Sequence, residues 1–150
     1  MTTVPIAEGL FTWPEAPHLI GGSCPDCGTT TFPRQPACPR CTRAGMREVA
    51  LATRGTLWSW TIQGFEPKPP YAGDGSFTPY GVGYVELAAL ADSAAAVLVE
   101  SRLTVAEPEQ LHIGDELELV IVPFRRDADG NELVTFAFGP GSRPARWEAR

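Results

Sequence analysis

All four cysteines of this 150-residue chain lie in one stretch, CPDCGTTTFPRQPACPRC, as two CxxC pairs: Cys24 with Cys27 and Cys38 with Cys41. A CxxC turn points two thiolates at one centre. A second such turn completes a tetrahedron, the arrangement zinc takes with four sulfurs at about 2.3 Å. Pro25 and Pro39 each follow a cysteine and Gly28 follows the first pair, so the stretch reads as two metal knuckles joined by a short hairpin-like excursion, TTTFPRQPA. The spacing is not that of the common iron–sulfur runs, although a single iron held by four cysteines uses the same ligands. A catalytic zinc keeps one coordination position open, and four cysteines fill them all. The expected role is structural: a clip that holds a segment too small for a core of its own. A thioredoxin-type reading of one CxxC is disfavoured by its paired neighbour and by the lack of a surrounding βαβ pattern.

No second constellation suggests chemistry. His18 and His112 fall in an early loop and in a turn. Neither has a serine or cysteine nucleophile in a recognisable setting, and the cysteines are committed to metal. The remaining functional candidate is a loop, GFEPKPPYAGDGSFTPY, from Gly64 to Tyr80. It holds four prolines and four aromatics: Phe65, Tyr71, Phe77 and Tyr80. A loop of this length is usually functional or disordered, and aromatic side chains gain by burial against something. Prolines lower the entropy lost on docking. The loop is therefore expected either to meet a partner or to fold back over its own domain.

The elements that must position these groups are strands. Gly and Pro number 15 each, which disfavours helix interiors. Five segments carry β-branched and aromatic residues: Arg54–Gly64, Gly81–Leu87, Ala96–Leu103, Glu116–Val122 and Leu133–Phe138. In the first, strict alternation puts Leu57, Ser59 and Thr61 on one face and Trp58, Trp60 and Ile62 on the other. RRDADGNE reads as a hairpin turn and HIGDE as another. LAALADSAAA reads as one helical turn or a loop. The fold class expected is mainly β: an N-terminal four-cysteine zinc ribbon, then a five-stranded OB-fold barrel, with a five-strand sandwich as the competing architecture. The expected layout is a lead-in over 1–23, the ribbon over 24–50, the barrel over 51–140 and a tail over 141–150.

In this order, the cysteine ribbon, the run Gly55-Thr56-Leu57-Trp58-Ser59-Trp60-Thr61, the Pro-rich loop ending Pro79-Tyr80-Gly81 and the step Ile113-Gly114-Asp115 resemble a known family. It is the rubredoxin-like zinc-ribbon/OB-fold family associated with acyl-CoA, long filed as a domain of unknown function. The resemblance covers about Leu10 to Pro140; the lead-in GLFTWPEAPHL is shorter than the helical segment the family often begins with. The resemblance implies a small, non-catalytic partner of a thiolase-like enzyme that makes or cleaves carbon–carbon bonds in acyl-CoA thioesters. One branch resembles the partner of a steroid side-chain aldolase. Structural zinc would be the metal, acyl-CoA a ligand of the complex, and Phe65, Tyr71, Phe77, Tyr80 and Arg34 the contacts to partner or acyl-CoA.

Charge separates the rival readings. The net charge is −6, yet the cysteine segment carries Arg34, Arg40, Arg43 and Arg47 against only Asp26 and Glu48. Those arginines suit coenzyme A phosphates or simply offset the negative thiolate cluster. A single-stranded nucleic-acid protein, with Trp58 and Trp60 stacking on bases, is the main alternative. An acidic chain of pI near 4.9 lacks the basic groove such binding draws on. A stand-alone acyl-CoA-binding protein is a third reading. The first residues, MTTVPIAEGLF, lack a signal-peptide pattern, and no apolar run approaches the roughly 20 residues that span a bilayer. The expected location is the cytoplasm, with no membrane association.

Overall fold

The computed structural model describes residues 2–70 and 76–140. Tyr71 and the tail from 141 lie outside the described residues. Eight strands follow one another: β1 (Thr3–Pro5), β2 (Ile20–Ser23), β3 (Thr30–Thr31), β4 (Arg47–Gln63), β5 (Tyr80–Ala89), β6 (Val97–Leu103), β7 (Glu116–Arg126) and β8 (Glu132–Pro140). The described residues contain no α-helix, only a 3-10 turn at Pro108–Gln110. Residues 90–96 form a loop after β5.

Five strands close on themselves in the order β4, β5, β6, β8, β7 and back to β4. All contacts in this circuit are antiparallel except β6 with β8, where two parallel pairs, Arg102 with Ala137 and Leu103 with Phe138, complete the closure. This is the OB-fold barrel, and the closure rules out the sandwich. The hairpin between β7 and β8 turns on Asp127. Its carboxylate accepts from the Asp129 and Asn131 backbone N–H groups at 2.9 and 2.8 Å and from Asn131 Nδ2 at 3.1 Å. These bonds, the Asn131 side chain foremost, hold the Asp127 carboxyl below its ordinary pKa. β1 lies parallel to β8 outside the circuit.

The pairing of β4 with β5 shifts register at two places, between Leu51 and Gly55 and between Leu57 and Ser59, and the second breaks the alternation expected over Arg54–Gly64. Leu57 pairs with Val85 and Ser59 with Tyr84, so Trp58 is the extra residue of a β-bulge. Beyond the bulge the faces exchange. Leu57 is buried, and Trp60 and Ile62 pack against the same core instead of facing away from it. Opposite them stand Gly83 and Gly81. A Cβ on Gly83 would lie 3.0 Å from Leu57 Cδ1, and one on Gly81 would lie 2.4 Å from Val105 O. Glycine in β5 thus lets this wall pack closely against Leu57, Leu103 and the Val105 carbonyl.

β4 also ties the two parts of the chain together. Its first half pairs with β2 and its second with β5 and β7. The main core therefore runs through Phe11, Leu19, Val49 and Leu51 into Leu57, Val85, Leu87, Val99, Leu117, Val134 and Phe138. The cysteine region keeps a separate, minute cluster of Cys24, Cys38 and Met46, with Cys41 beside it. One methionine contributes about 1.5–3 kcal/mol on burial, far less than ordering two loops costs.

Candidate metal centre

Each knuckle is built from the same local hydrogen bonds. In the first, Cys24 N donates to Thr29 O at 2.8 Å and Gly28 N to Cys24 O at 3.0 Å; in the second, Cys38 N donates to Arg43 O and Thr42 N to Cys38 O, both at 2.9 Å. The residue after each pair takes a left-handed backbone: Gly28 at φ +76° and Thr42 at φ +66°. The backbone thereby folds over the sulfurs. Arg40 N and Cys41 N approach Cys38 Sγ at 3.4 and 3.5 Å.

The turns bring the four sulfurs within 4.8 Å of one another. Cys24 Sγ lies 3.6 Å from Cys41 Sγ, and Cys27 Sγ lies 3.6 Å from Cys38 Sγ. Four sulfurs around zinc at about 2.3 Å are about 3.8 Å apart, so the donor set and its span fit that ion. Zinc would be held by Cys24, Cys27, Cys38 and Cys41, with its coordination filled.

As free thiols, Cys27, Cys38 and Cys41 are shifted in different directions. The Thr29 hydroxyl and backbone N–H bring Cys27 down to about 6. The Cys41 backbone N–H holds Cys38 below its ordinary value. At Cys41 the Arg43 backbone N–H works in the same direction, but burial and the three neighbouring sulfurs outweigh it and raise the thiol to about 11. A metal ion must displace that proton, so binding releases protons into solution.

The ribbon is fastened to the barrel at the first knuckle. Ala95 N donates to Gly28 O at 2.9 Å, and Thr30 Oγ1 to Ala95 O at 2.6 Å. A Cβ on Gly28 would stand 2.6 Å from Ser93 O. A crevice of about 460 Å³ runs along this seam between Cys24–Gly28, Arg47–Val49 and Ala91–Ser93.

Two family models meet where ribbon and barrel meet. The rubredoxin-like zinc ribbon domain of ChsH2 matches residues 14–47 and the C-terminal OB-fold domain of ChsH2 matches residues 48–122. The chain belongs to the ChsH2 family. Among similar proteins, a DUF35 domain-containing scaffold protein of Pyrococcus furiosus is 33% identical over 82% of this chain and 83% of its own length. The benzoylsuccinyl-CoA thiolase subunit BbsA of Thauera aromatica is 31% identical over 82% of this chain and 76% of its own. Among solved structures, a chain of the Ltp2-ChsH2(DUF35) aldolase superposes with a TM-score of 0.57 at 24% identity, covering 82% of this chain and 84% of that one.

The loop residues singled out in this ChsH2-family chain are dispersed. Phe77 packs edge-on against Tyr80, centroids 6.1 Å apart. Phe65 is exposed, its carbonyl accepting from Gln63 Nε2 at 2.8 Å. Arg34 stays on the ribbon, 3.8 Å from the Glu48 carboxylate. His18 bonds to Thr12, and His112 lies 3.4 Å from Asp115. No helix among the described residues is long and apolar enough to cross a membrane.

What sequence reasoning missed is a groove of about 560 Å³ around Tyr80, where β6 and β8 diverge. Its walls include Phe32 and Pro33 of the ribbon, Phe124 of β7 and Phe136 of β8. The Arg102 guanidinium lies 3.8 Å from the Tyr80 ring centroid and 5.1 Å from that of Phe124. Phe136 falls in period two with the buried Val134 and Phe138 of β8, so local patterning did not mark it or Phe124 as a groove wall. Their meeting depends on barrel closure, which no local pattern reports.

Proposed function

We propose that this chain is a non-catalytic accessory subunit of a thiolase-like enzyme that makes or breaks carbon–carbon bonds in acyl-CoA thioesters. The observation that carries the reading is the relatives' extent. Proteins named as a scaffold and as a thiolase subunit align over both modules, not over the common ribbon alone. The site chemistry agrees: the four cysteines converge on one structural metal position, and each histidine has a local partner.

In this role the metal clip keeps the ribbon rigid beside the barrel. The aromatic groove around Tyr80 and Arg102 borders the acyl-CoA entrance, and Phe65, Tyr71, Phe77 and Arg34 supply further contacts to the enzyme or its thioester. The specific reaction we propose is retro-aldol cleavage of a steroid-like side chain, with acyl-CoA thiolysis as the other arm of the test. A nucleic-acid role is less well supported, because Trp60 packs into the core and the chain is acidic.

The test is to purify the thiolase-like enzyme of the same organism with and without this chain. Solubility and turnover on acyl-CoA substrates should depend on its presence. Equal solubility and turnover in its absence would overturn the subunit reading.

A further inference from the structure

The outer face of the barrel carries an apolar patch away from the metal centre, meeting the groove only at Glu100. The bulge in β4 places Trp58 beside Tyr84 of β5. Their rings meet edge to face at 87°, centroids 6.4 Å apart, and both are exposed, at 56% and 43%. The next strand adds exposed Leu98, paired with Glu86, while Tyr84 pairs with Glu100. Side chains paired across antiparallel strands share a face. Trp58, Tyr84 and Leu98 therefore alternate with Glu86 and Glu100 on a continuous surface. The turn bearing exposed Ile113 joins its margin, since Gly114 N donates to Leu57 O and Leu57 N to Asp115 O, both at 2.8 Å.

Two features make this more than scattered exposure. Tryptophan and tyrosine, oriented by each other, are the residue types that anchor protein interfaces. The two glutamates in their midst have no salt bridge among the described residues, unlike Glu116 and Glu118, which Arg54 holds at 3.2 and 2.6 Å. A surface with apolar anchors and uncompensated carboxylates is complementary to an apolar depression rimmed by lysine or arginine.

We infer that the Trp58–Tyr84–Leu98 face docks on the enzyme partner, at an apolar seat with a basic rim. This rests on the accessory-subunit reading and names the surface that serves it. The test is co-expression of the full chain with the thiolase-like enzyme, followed by sizing chromatography and affinity measurement at low and high salt. Trp58→Ala should weaken the complex at least tenfold. Glu86→Lys with Glu100→Lys should weaken it and abolish the loss of affinity with salt shown by the unaltered chain. Zinc content and melting temperature check that each variant folds, and all substituted side chains are exposed. A complex that survives both variants unchanged overturns the face while leaving the subunit reading intact. No complex from the unaltered chain overturns both. A homodimer of this chain that Trp58→Ala dissociates assigns the face to a second copy and overturns the proposal.

Discussion

The two knuckles, CPDCG and CPRCT, share a CPxC pattern and a backbone fold, yet differ in what they touch. The first is clamped: Gly28 and Thr30 bond to Ala95, and Gly28 sits against Ser93. The second is held chiefly by its own turn, with Thr42 Oγ1 donating to Cys41 O at 2.6 Å. An exposed pair, Arg43 with Asp26 at 3.7 Å, adds little between them. One motif therefore does two jobs. Both knuckles supply sulfurs; the first is hydrogen-bonded to the loop after β5, while the second reaches the barrel through Met46, just before β4.

Removing the metal should erase the difference. Cys24→Ser, or chelation, should release zinc and loosen both knuckles, with a loss on the order of 4–5 kcal/mol in the ribbon. Zinc analysis and hydrogen exchange would show it, with amides of β2 and β3 losing protection before those of β5. If the variant kept its fold and partner but lost turnover, the cluster would have to be a functional site.

Paired substitutions at the equivalent turn positions sharpen the comparison. Gly28→Ala forces a Cβ toward Ser93 O in a left-handed backbone and should cost roughly 1–3 kcal/mol. Thr42→Gly relieves a β-branched residue of that conformation. Its effect should be within about 1 kcal/mol, on the stabilising side. Thermal melts of the zinc-loaded chain should move in opposite directions; equal shifts would show that the Ser93 contact does not matter. Thr30→Val removes one hydrogen bond of the clamp and should cost about 1 kcal/mol, leaving zinc stoichiometry unchanged.

The smallest effect belongs to a turn remote from both knuckles. Asp127 titrates below its ordinary value in the fold. Its contribution is present above the unfolded pKa of about 3.9 and is lost as pH falls through the lower folded value. Asp127→Asn should be slightly less stable at neutral pH, with the gap closing below about pH 4. A gap that widened in acid would contradict the assigned hydrogen bonds.

Much of this was legible locally. Two cysteines three apart specify a knuckle through bonds spanning a few residues, with glycine at the left-handed position of the first and threonine, less suited to it, in the second. Asp127 with Gly130 and Asn131 specifies a hairpin in the same way. Strand positions followed from period-two runs: each of the five expected barrel segments falls on an observed strand, with Arg54–Gly64 and Ala96–Leu103 overrunning β4 and β6 by one residue. The period itself misled at Trp58, because the bulge is set by the pairing with β5, whose residues Tyr84 and Val85 lie more than twenty residues further along the chain.

By itself, then, the sequence determined the four-cysteine cluster, the turn chemistry and the all-β character, since each rests on contacts between near neighbours. Only the tertiary structure decided which tryptophan faces out, which knuckle grips the barrel and which aromatics line one groove. Those outcomes depend on pairs such as Thr30 with Ala95, 65 residues apart, and on a barrel closed by two parallel pairs between β6 and β8. Side chains so distant are brought together by burial of the common core, and burial carries no mark in the local order of residues.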